Sequence, residues 1–216
     1  MITIILADDH TVVRDGLRFL LEAQPDLTVI GDAANGREAV RQVARHCPDV
    51  AILDIAMPEL NGIEAMGQIY EICPDTQVII LSMYATTEHI LRALQAGARG
   101  YLLKEAAGAE VVEAVRAVCA GQHHLSPKIS DKVLNSFVRQ DKAGQAQTPL
   151  ARLSPREREI LQLVVEGKSS AEIGNILALS PKTVETYRSR LMKKLGLSNL
   201  PELVKFAIQH GLTPLE

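Results

Sequence analysis

Four short apolar runs in this chain each stop on a residue with chemistry to offer. Residues 2–7 run into Asp8-Asp9, residues 50–53 into Asp54, residues 78–81 into Ser82, and residues 101–103 into Lys104. Continuous apolar runs of this length predict strands buried on both faces of a parallel sheet. Open sheets of that kind bind ligands at the carboxyl ends of their strands. Three carboxylates, a hydroxyl and an amine would then share one crevice. That set suits a divalent cation together with a phosphoryl group.

The segments between the runs alternate in helical period. Val12, Val13, Leu17, Leu20 and Leu21 predict a helix, followed by a strand at 27–30. Helix faces recur at Ala39 to Ala44, Ile63 to Ile72, Ile90 to Leu94 and Val111 to Val118. The result is five βα units, hence an α/β fold with a five-stranded parallel sheet and helices on both faces, over residues 1–120. Residues 121–150 read as a linker, with a candidate helix at 127–139 carrying Ile129, Val133, Leu134 and Phe137. The polar stretch 140–150 is the flexible part.

Helix signals are dense in residues 151–216. Ser154-Pro155-Arg156-Glu157 and Ser169-Ser170-Ala171-Glu172 are capping boxes, Ser180-Pro181 opens a third helix, and Asn199 with Glu202 opens a fourth. Gly167 and Gly196 close the first and third. Four short helices with tight turns form a small all-α unit of helix-turn-helix size.

Composition narrows the function classes. No apolar run approaches the roughly 20 residues of a membrane span, and no basic segment opens a signal peptide. We therefore expect no membrane partner and a cytoplasmic protein. Cys47, Cys73 and Cys119 are odd in number and in no CxxC pattern, so neither a disulfide framework nor a zinc site is expected. Residues 1–125 carry 9 Lys/Arg against 17 Asp/Glu, whereas residues 151–216 carry 10 against 7. An acidic front and a mildly basic back suggest two units with different partners.

Taken singly, the strand-end residues have ordinary readings. An acid after a strand is about as often the N-cap of the next helix, and a lone Ser or Lys is usually a turn residue. Asp54 is different. Ile55-Ala56-Met57-Pro58 follows it, and proline disfavours helix in the residue before it, so Asp54 is not capping. Crowded carboxylates repel, and a divalent cation relieves that repulsion. Asp54 is the candidate nucleophile for an acyl phosphate, with Lys104 and Ser82 to neutralise and hydrogen-bond its oxygens.

Asp8-Asp9, Asp54-Ile55-Ala56-Met57-Pro58, Gly62, Ser82, Gly100-Tyr101 and Lys104 together resemble the receiver domain of two-component response regulators. The resemblance implies a flavodoxin-like fold and a phosphoryl group taken by Asp54 from a sensor histidine kinase. It implies Mg²⁺ on Asp9, Asp54 and the carbonyl of Ala56, with Asp8 in the same pocket. Ser82 and Tyr101 become the switch pair, and Lys104 contacts the phosphoryl oxygen. Three residues depart from the common pattern. Glu105 replaces a proline after the lysine; a cis non-proline bond costs about 3–4 kcal/mol, so trans is expected. Met83 stands where a small residue is usual, and Ala56 offers no side chain to an attacking water. Both predict a long-lived phosphoryl state, which release of phosphate within seconds would contradict.

In the helix from Pro181 to Leu195, Val184, Tyr187, Leu191 and Leu195 fall on one stripe and should pack inward. Lys182, Thr186, Ser189 and Lys193 fall opposite, flanked by Glu185 and Arg190, while Arg188 lies nearer the apolar edge. Charge alone favours an ordinary solvated face. However, Leu153-Ser154-Pro155-Arg156-Glu157-Arg158-Glu159-Ile160-Leu161, Gly167-Lys168-Ser169, Glu172-Ile173, Leu179-Ser180, Thr183-Val184-Glu185 and Lys194-Leu195 resemble the LuxR/FixJ-type DNA-binding domain. By that resemblance Glu185, Thr186 and Ser189 face bases, and Lys182, Thr183, Arg190 and Lys193 meet phosphates. Double-stranded promoter DNA and a phosphorylation-dependent homodimer are the implied partners. Gly174 departs from the usual alanine, at up to about 1 kcal/mol of helix propensity. The whole chain thus resembles a NarL/FixJ-type response regulator, a transcription regulator and not an enzyme. A phosphohydrolase with an aspartyl nucleophile is the rival, but it prefers Asp-x-Asp on the first strand and leaves the last four helices unused. A DNA binder indifferent to phosphorylation is the third reading.

Overall fold

The computed structural model describes residues 1–140, 149–210 and 212, and the chain divides into two units, Met1–Gly144 and Gln145–Glu216. In the first, strands β1 (Ile2–Ala7), β2 (Leu27–Ala33), β3 (Val50–Asp54), β4 (Gln77–Ser82), β5 (Gly100–Leu103) and β6 (His124–Leu125) form one parallel sheet in the order β2-β1-β3-β4-β5-β6. Helices α1 (Thr11–Glu22) and α5 (Ala107–Cys119) cover one face, over Ile4, Leu6, Ile52, Ile79 and Leu102. Helices α2 (Gly36–His46), α3 (Gly62–Ile72) and α4 (Thr87–Gln95) cover the other, over Ile5, Ala51, Leu53, Val78 and Ile80. Alternate residues of each strand serve opposite faces, so both must be apolar, which is why the strands read as unbroken apolar runs. The strand order reverses between β1 and β3, and there the crevice opens.

Two features differ from the sequence reading. The sheet has six strands rather than five. β6 has only two residues, too short for any periodic signal, yet it pairs in parallel with β5, and Ser126 N donates to the Tyr101 carbonyl at 3.0 Å. Helix α6 (Pro127–Gln140) follows, with Ile129 fully buried in the first unit's core and Val133 packed against it. The side chains of Leu134 and Phe137, and residues 141–148 of the expected linker, lie outside the described residues. Second, Cys47 and Cys73 are joined as a disulfide, where none was expected. The two residues are 26 apart in sequence, but each ends a helix, and α2 packs beside α3. Spacing carries no trace of that neighbourhood.

Caps set the helix starts. Asn61 Oδ1 accepts from the amides of Ile63 and Glu64, opening α3 directly behind the β3 loop. Gly62 lies so close that a Cβ there would run into the Asp54 carbonyl. Among the described residues no peptide bond is cis, so Lys104–Glu105 is trans as expected.

In the second unit, a 3₁₀ turn (Pro149–Arg152) leads to α7 (Pro155–Val165), α8 (Ser170–Leu177), α9 (Pro181–Leu195) and α10 (Leu200–Gln209). Both expected capping boxes are present, at Ser154/Glu157 and Ser169/Glu172. Val184 and Leu191 are fully buried, with Tyr187 and Leu195 packed against the same core as Ile160, Leu161, Ile173, Leu203 and Ala207. Gly174 has a steric reason. A Cβ there would stand 2.6 Å from the Leu179 carbonyl, so glycine lets the turn after α8 fold back onto the helix.

Candidate functional site

The carboxyl ends of β1, β3 and β5 bring Asp8, Asp9, Asp54 and Lys104 together, with Asp54 the last residue of β3 and the others just beyond their strands. Asp8 and Asp54 are 1% and 3% exposed, so their carboxylates have almost no water. Lys104 Nζ lies 2.7 Å from Asp8 Oδ2 and 2.8 Å from Asp54 Oδ2, bridging them. Burial pushes the Asp54 carboxyl up to about 6, with the Lys104 ammonium holding it back from rising further and Asp8 and Asp9 adding to the rise. For Lys104, burial disfavours the charge, but Asp54 and Asp8 outweigh it and its pKa rises.

Neither aspartate caps α1. Asp8 Oδ1 instead accepts from His10 N at 2.8 Å, and His10, the N-cap residue, makes no side-chain cap bond. The ordinary reading of these two acids is thus set aside by geometry. His10 is also a residue the sequence reading missed. Its Nδ1 lies 2.7 Å from Asp9 Oδ1 and 3.1 Å from Asp8 Oδ1. Its place directly after two acids was the available signal.

Asp8, Asp9, His10 and Asp54 each offer a ligand atom, all within 4.8 Å of one another. Asp8 Oδ2 and Asp9 Oδ1 are buried and accept no hydrogen bond of good geometry, although Lys104 and His10 stand at ion-pair distance. Oxygen donors with spare lone pairs suit a hard divalent cation. Ala56 lies in the loop between β3 and α3, held by Gly62 N donating to Ile55 O at 3.0 Å and Met57 N to the same carbonyl at 3.1 Å.

Ser82 ends β4 and is fully buried, and its Oγ accepts from Tyr84 N at 2.9 Å. Tyr101 is also fully buried, its ring inward, and its hydroxyl donates to the Tyr84 carbonyl at 2.7 Å. Burial drives the Tyr101 hydroxyl up to about 12, against a hydrogen bond with Ser82. Tyr84 therefore links the two expected switch residues through its backbone, which no side-chain pattern announces. Met83 is 73% exposed. It lines a cavity of about 500 Å³ with Ser82, Lys104, Lys128 and Lys132.

On the second unit, Lys182, Glu185, Thr186, Ser189, Arg190 and Lys193 are exposed along α9, and Thr183 is half-buried. Three of the expected DNA-contact residues already have partners, among them Thr186, whose Oγ1 donates to the Lys182 carbonyl at 3.0 Å. Glu185 accepts from Ser170 Oγ on α8, with Arg188 Nη1 3.6 Å from the same carboxylate. Thr183 Oγ1 lies 2.8 Å from Ser180 Oγ at the helix cap. Glu157, nearly buried on α7, meets Lys194 Nζ at 2.7 Å and ties α7 to α9. Burial works against the Glu157 charge, but Lys194 and the Ser154 cap more than offset it and the pKa falls.

Comparison with known proteins supplies a second line. Residues 4–116 match the response regulator receiver domain, and residues 151–207 match the luxR family of bacterial regulatory proteins. The chain is 41% identical over 213 residues to the oxygen regulatory protein NreC of Staphylococcus carnosus, covering 97% of this chain and 98% of that one. A LuxR-family two-component response regulator from Aurantimonas superposes with a TM-score of 0.62 at 35% identity, over 64% of this chain and 99% of that one. The RcsB response regulator in its DNA complex gives 0.59 at 27% identity, over 95% and 96%.

Proposed function

We propose that this chain, which belongs to the two-component response regulators with a receiver and a LuxR-family regulatory domain, takes a phosphoryl group onto Asp54 from a sensor histidine kinase and thereby controls its hold on promoter DNA. The carrying observation is the buried Asp54–Lys104–Asp8 bridge. A carboxyl with a pKa of about 6 is mostly ionised at neutral pH and is poised to attack. An Asp54 oxygen attacks phosphorus, the phosphorus–nitrogen bond of the donor histidine breaks, and the imidazole leaves with the electron pair. Lys104 neutralises a phosphoryl oxygen, and the Ser82 hydroxyl is placed at the end of the adjoining strand. Asp9, Asp54 and the Ala56 carbonyl are the residues to hold Mg²⁺, with Asp8 in support. The ion supplies charge neutralisation.

In the second unit, α9 is the helix to enter the major groove. Glu185, Thr186 and Ser189 face base edges, and Lys182, Thr183, Arg190 and Lys193 face phosphates. With so few cations, one copy would bind modestly, which favours a homodimer on paired half-sites. RcsB dimers bound to DNA offer a precedent in a relative. Among the described residues no helix is long and apolar enough to cross a membrane. We assign the protein to the cytoplasm, where kinase and DNA both meet it. We read it as a regulator rather than an enzyme, its phosphoryl chemistry serving its own switching.

The test is phosphoryl uptake from a small acyl phosphate with Mg²⁺, on wild type and Asp54→Asn, followed by footprinting on genomic DNA. Uptake confined to wild type, with protection that strengthens on phosphorylation, supports the reading. Uptake equal in Asp54→Asn, or protection blind to phosphate, refutes it.

A further inference from the structure

The Cys47–Cys73 bond lies outside everything the phosphoryl and DNA readings use. Both cysteines occupy the same local setting, Cys47-Pro48-Asp49 after α2 and Cys73-Pro74-Asp75 after α3. In each, the proline bars the helix from continuing and the cysteine becomes the C-cap. Their backbones are anchored independently of the sulfurs. Cys47 N donates to Val43 O and Cys73 N to Ile69 O, each at 2.8 Å. The Cα atoms are 5.6 Å apart, inside the range that a disulfide spans. Helix caps and helix packing, rather than the bond, thus bring the two sulfurs together.

The two cysteines differ in exposure. Cys47 is exposed, and Cys73 is 4% exposed within the core of the first unit. Cys73 Sγ also lies 3.6 Å from the Val43 carbonyl. A disulfide sulfur has no proton to give that oxygen, but a thiol has. The reduced form of Cys73 therefore finds an acceptor in place.

We propose that Cys47 and Cys73 form a reversible thiol–disulfide site, in which Cys47 exchanges with soluble low-molecular-weight disulfides and thiols and Cys73 resolves. In oxidation the Cys47 thiolate attacks one sulfur of a soluble disulfide, and one thiolate leaves. The Cys73 thiol gives up its proton, its thiolate attacks the Cys47 sulfur, and the second soluble thiolate leaves. Two protein thiols are oxidised and one disulfide is reduced to two thiols, with the two protons passing to the released thiolates. In reduction an external thiolate attacks the Cys47 sulfur, and Cys73 departs as thiolate, takes a proton and donates to Val43 O; a second external thiolate then attacks the outer sulfur of the mixed disulfide, so that Cys47 leaves as thiolate and the soluble disulfide is released. The order follows from exposure, because Cys47 is the exposed residue of the pair and Cys73 the buried one.

The experiment uses the full chain with Cys119→Ser, since Cys119 is a third, exposed thiol. Reduced protein is treated with 2-hydroxyethyl disulfide and followed by mass spectrometry. With both cysteines present, the expected product has lost two hydrogens and carries no adduct. Adding Cys73→Ser traps a stable adduct at Cys47. Adding Cys47→Ser instead slows adduct formation by at least about tenfold, given the burial of Cys73. Independently of any change at these two positions, iodoacetamide should alkylate Cys47 at least about tenfold faster than Cys73 in the reduced native protein. Closing a loop of this length should raise the melting temperature of the first unit by on the order of 10 °C over the reduced form. Equal reactivity of the two sulfurs, a persistent adduct with both cysteines present, or identical melting of the two forms would each overturn the proposal.

Discussion

Asp54→Asn should stabilise the first unit, and by an amount that depends on pH. Burial raises the folded-state pKa of Asp54 from 3.8 to about 6 even with Lys104 beside it. A carboxyl whose pKa is raised by folding favours the folded state in its neutral form. That contribution is fully present below pH 3.8 and lost as pH rises through about 6. Above that range the ionised group costs about 3 kcal/mol relative to the unfolded chain, at about 1.4 kcal/mol per pH unit of displacement. The neutral amide escapes this cost. In metal-free protein, Asp54→Asn should therefore gain about 3 kcal/mol at pH 7.5 and only about 1 kcal/mol at pH 4.5. The amide keeps an oxygen for Lys104, which also retains Asp8 at 2.7 Å. Urea unfolding, followed through amide exchange in β3 and β4 so that the second unit does not contribute, reads the difference. A gain that does not change with pH, or a loss at pH 7.5, would refute the electrostatic account.

Other perturbations give equally definite outcomes. Lys104→Met removes the main group holding the Asp54 pKa down, so a carboxyl carbon NMR titration should move its midpoint above 6. Gly174→Ala drives a Cβ toward the Leu179 carbonyl and should destabilise the second unit by about 1–3 kcal/mol, whereas Asn175→Ala at the exposed neighbouring position should stay within about 0.5 kcal/mol in the same urea titration. Lys193→Ala should weaken binding to arbitrary duplex DNA and lower the slope of log K against log salt by about 1, as loss of one phosphate contact requires.

What the sequence disclosed and what it hid have physical causes. The strand-end residues were legible because a doubly covered parallel strand must be apolar throughout, so the first polar residue marks its carboxyl end. The helix starts of the second unit were legible because capping is local chemistry, confined to four residues. β6 was invisible because two residues have no period. The disulfide was invisible because it depends on two helix C-termini meeting, a fact of tertiary packing. Gly174 misled in sign. Propensity alone counts glycine as a cost, but here it admits the Leu179 carbonyl that a methyl group would repel. Glu185 was placed correctly on the exposed side of α9, but its hydrogen bond to Ser170 crosses between helices and leaves no mark in either segment.

The buried bridge and the Ser82–Tyr84–Tyr101 chain together suggest how a single added group would be felt at a distance. The ionised Asp54 already sits at a cost, and Lys104 divides its charge between Asp54 and Asp8. A phosphoryl group on Asp54 adds charge on the same side of the pocket and draws Lys104 from that division. Ser82 Oγ accepts its bond from Tyr84 N, so its own proton can turn from the Tyr101 hydroxyl to a phosphoryl oxygen. Donating that proton need not break the bond to Tyr84. A shift of Ser82 toward the phosphoryl group would therefore carry the Tyr84 backbone with it, and the Tyr101 hydroxyl is bonded to that same residue. Tyr101 lies on β5, whose outer neighbour β6 leads into α6. On the proposed reading the signal thus leaves through a series of hydrogen bonds already made, each pulled rather than formed.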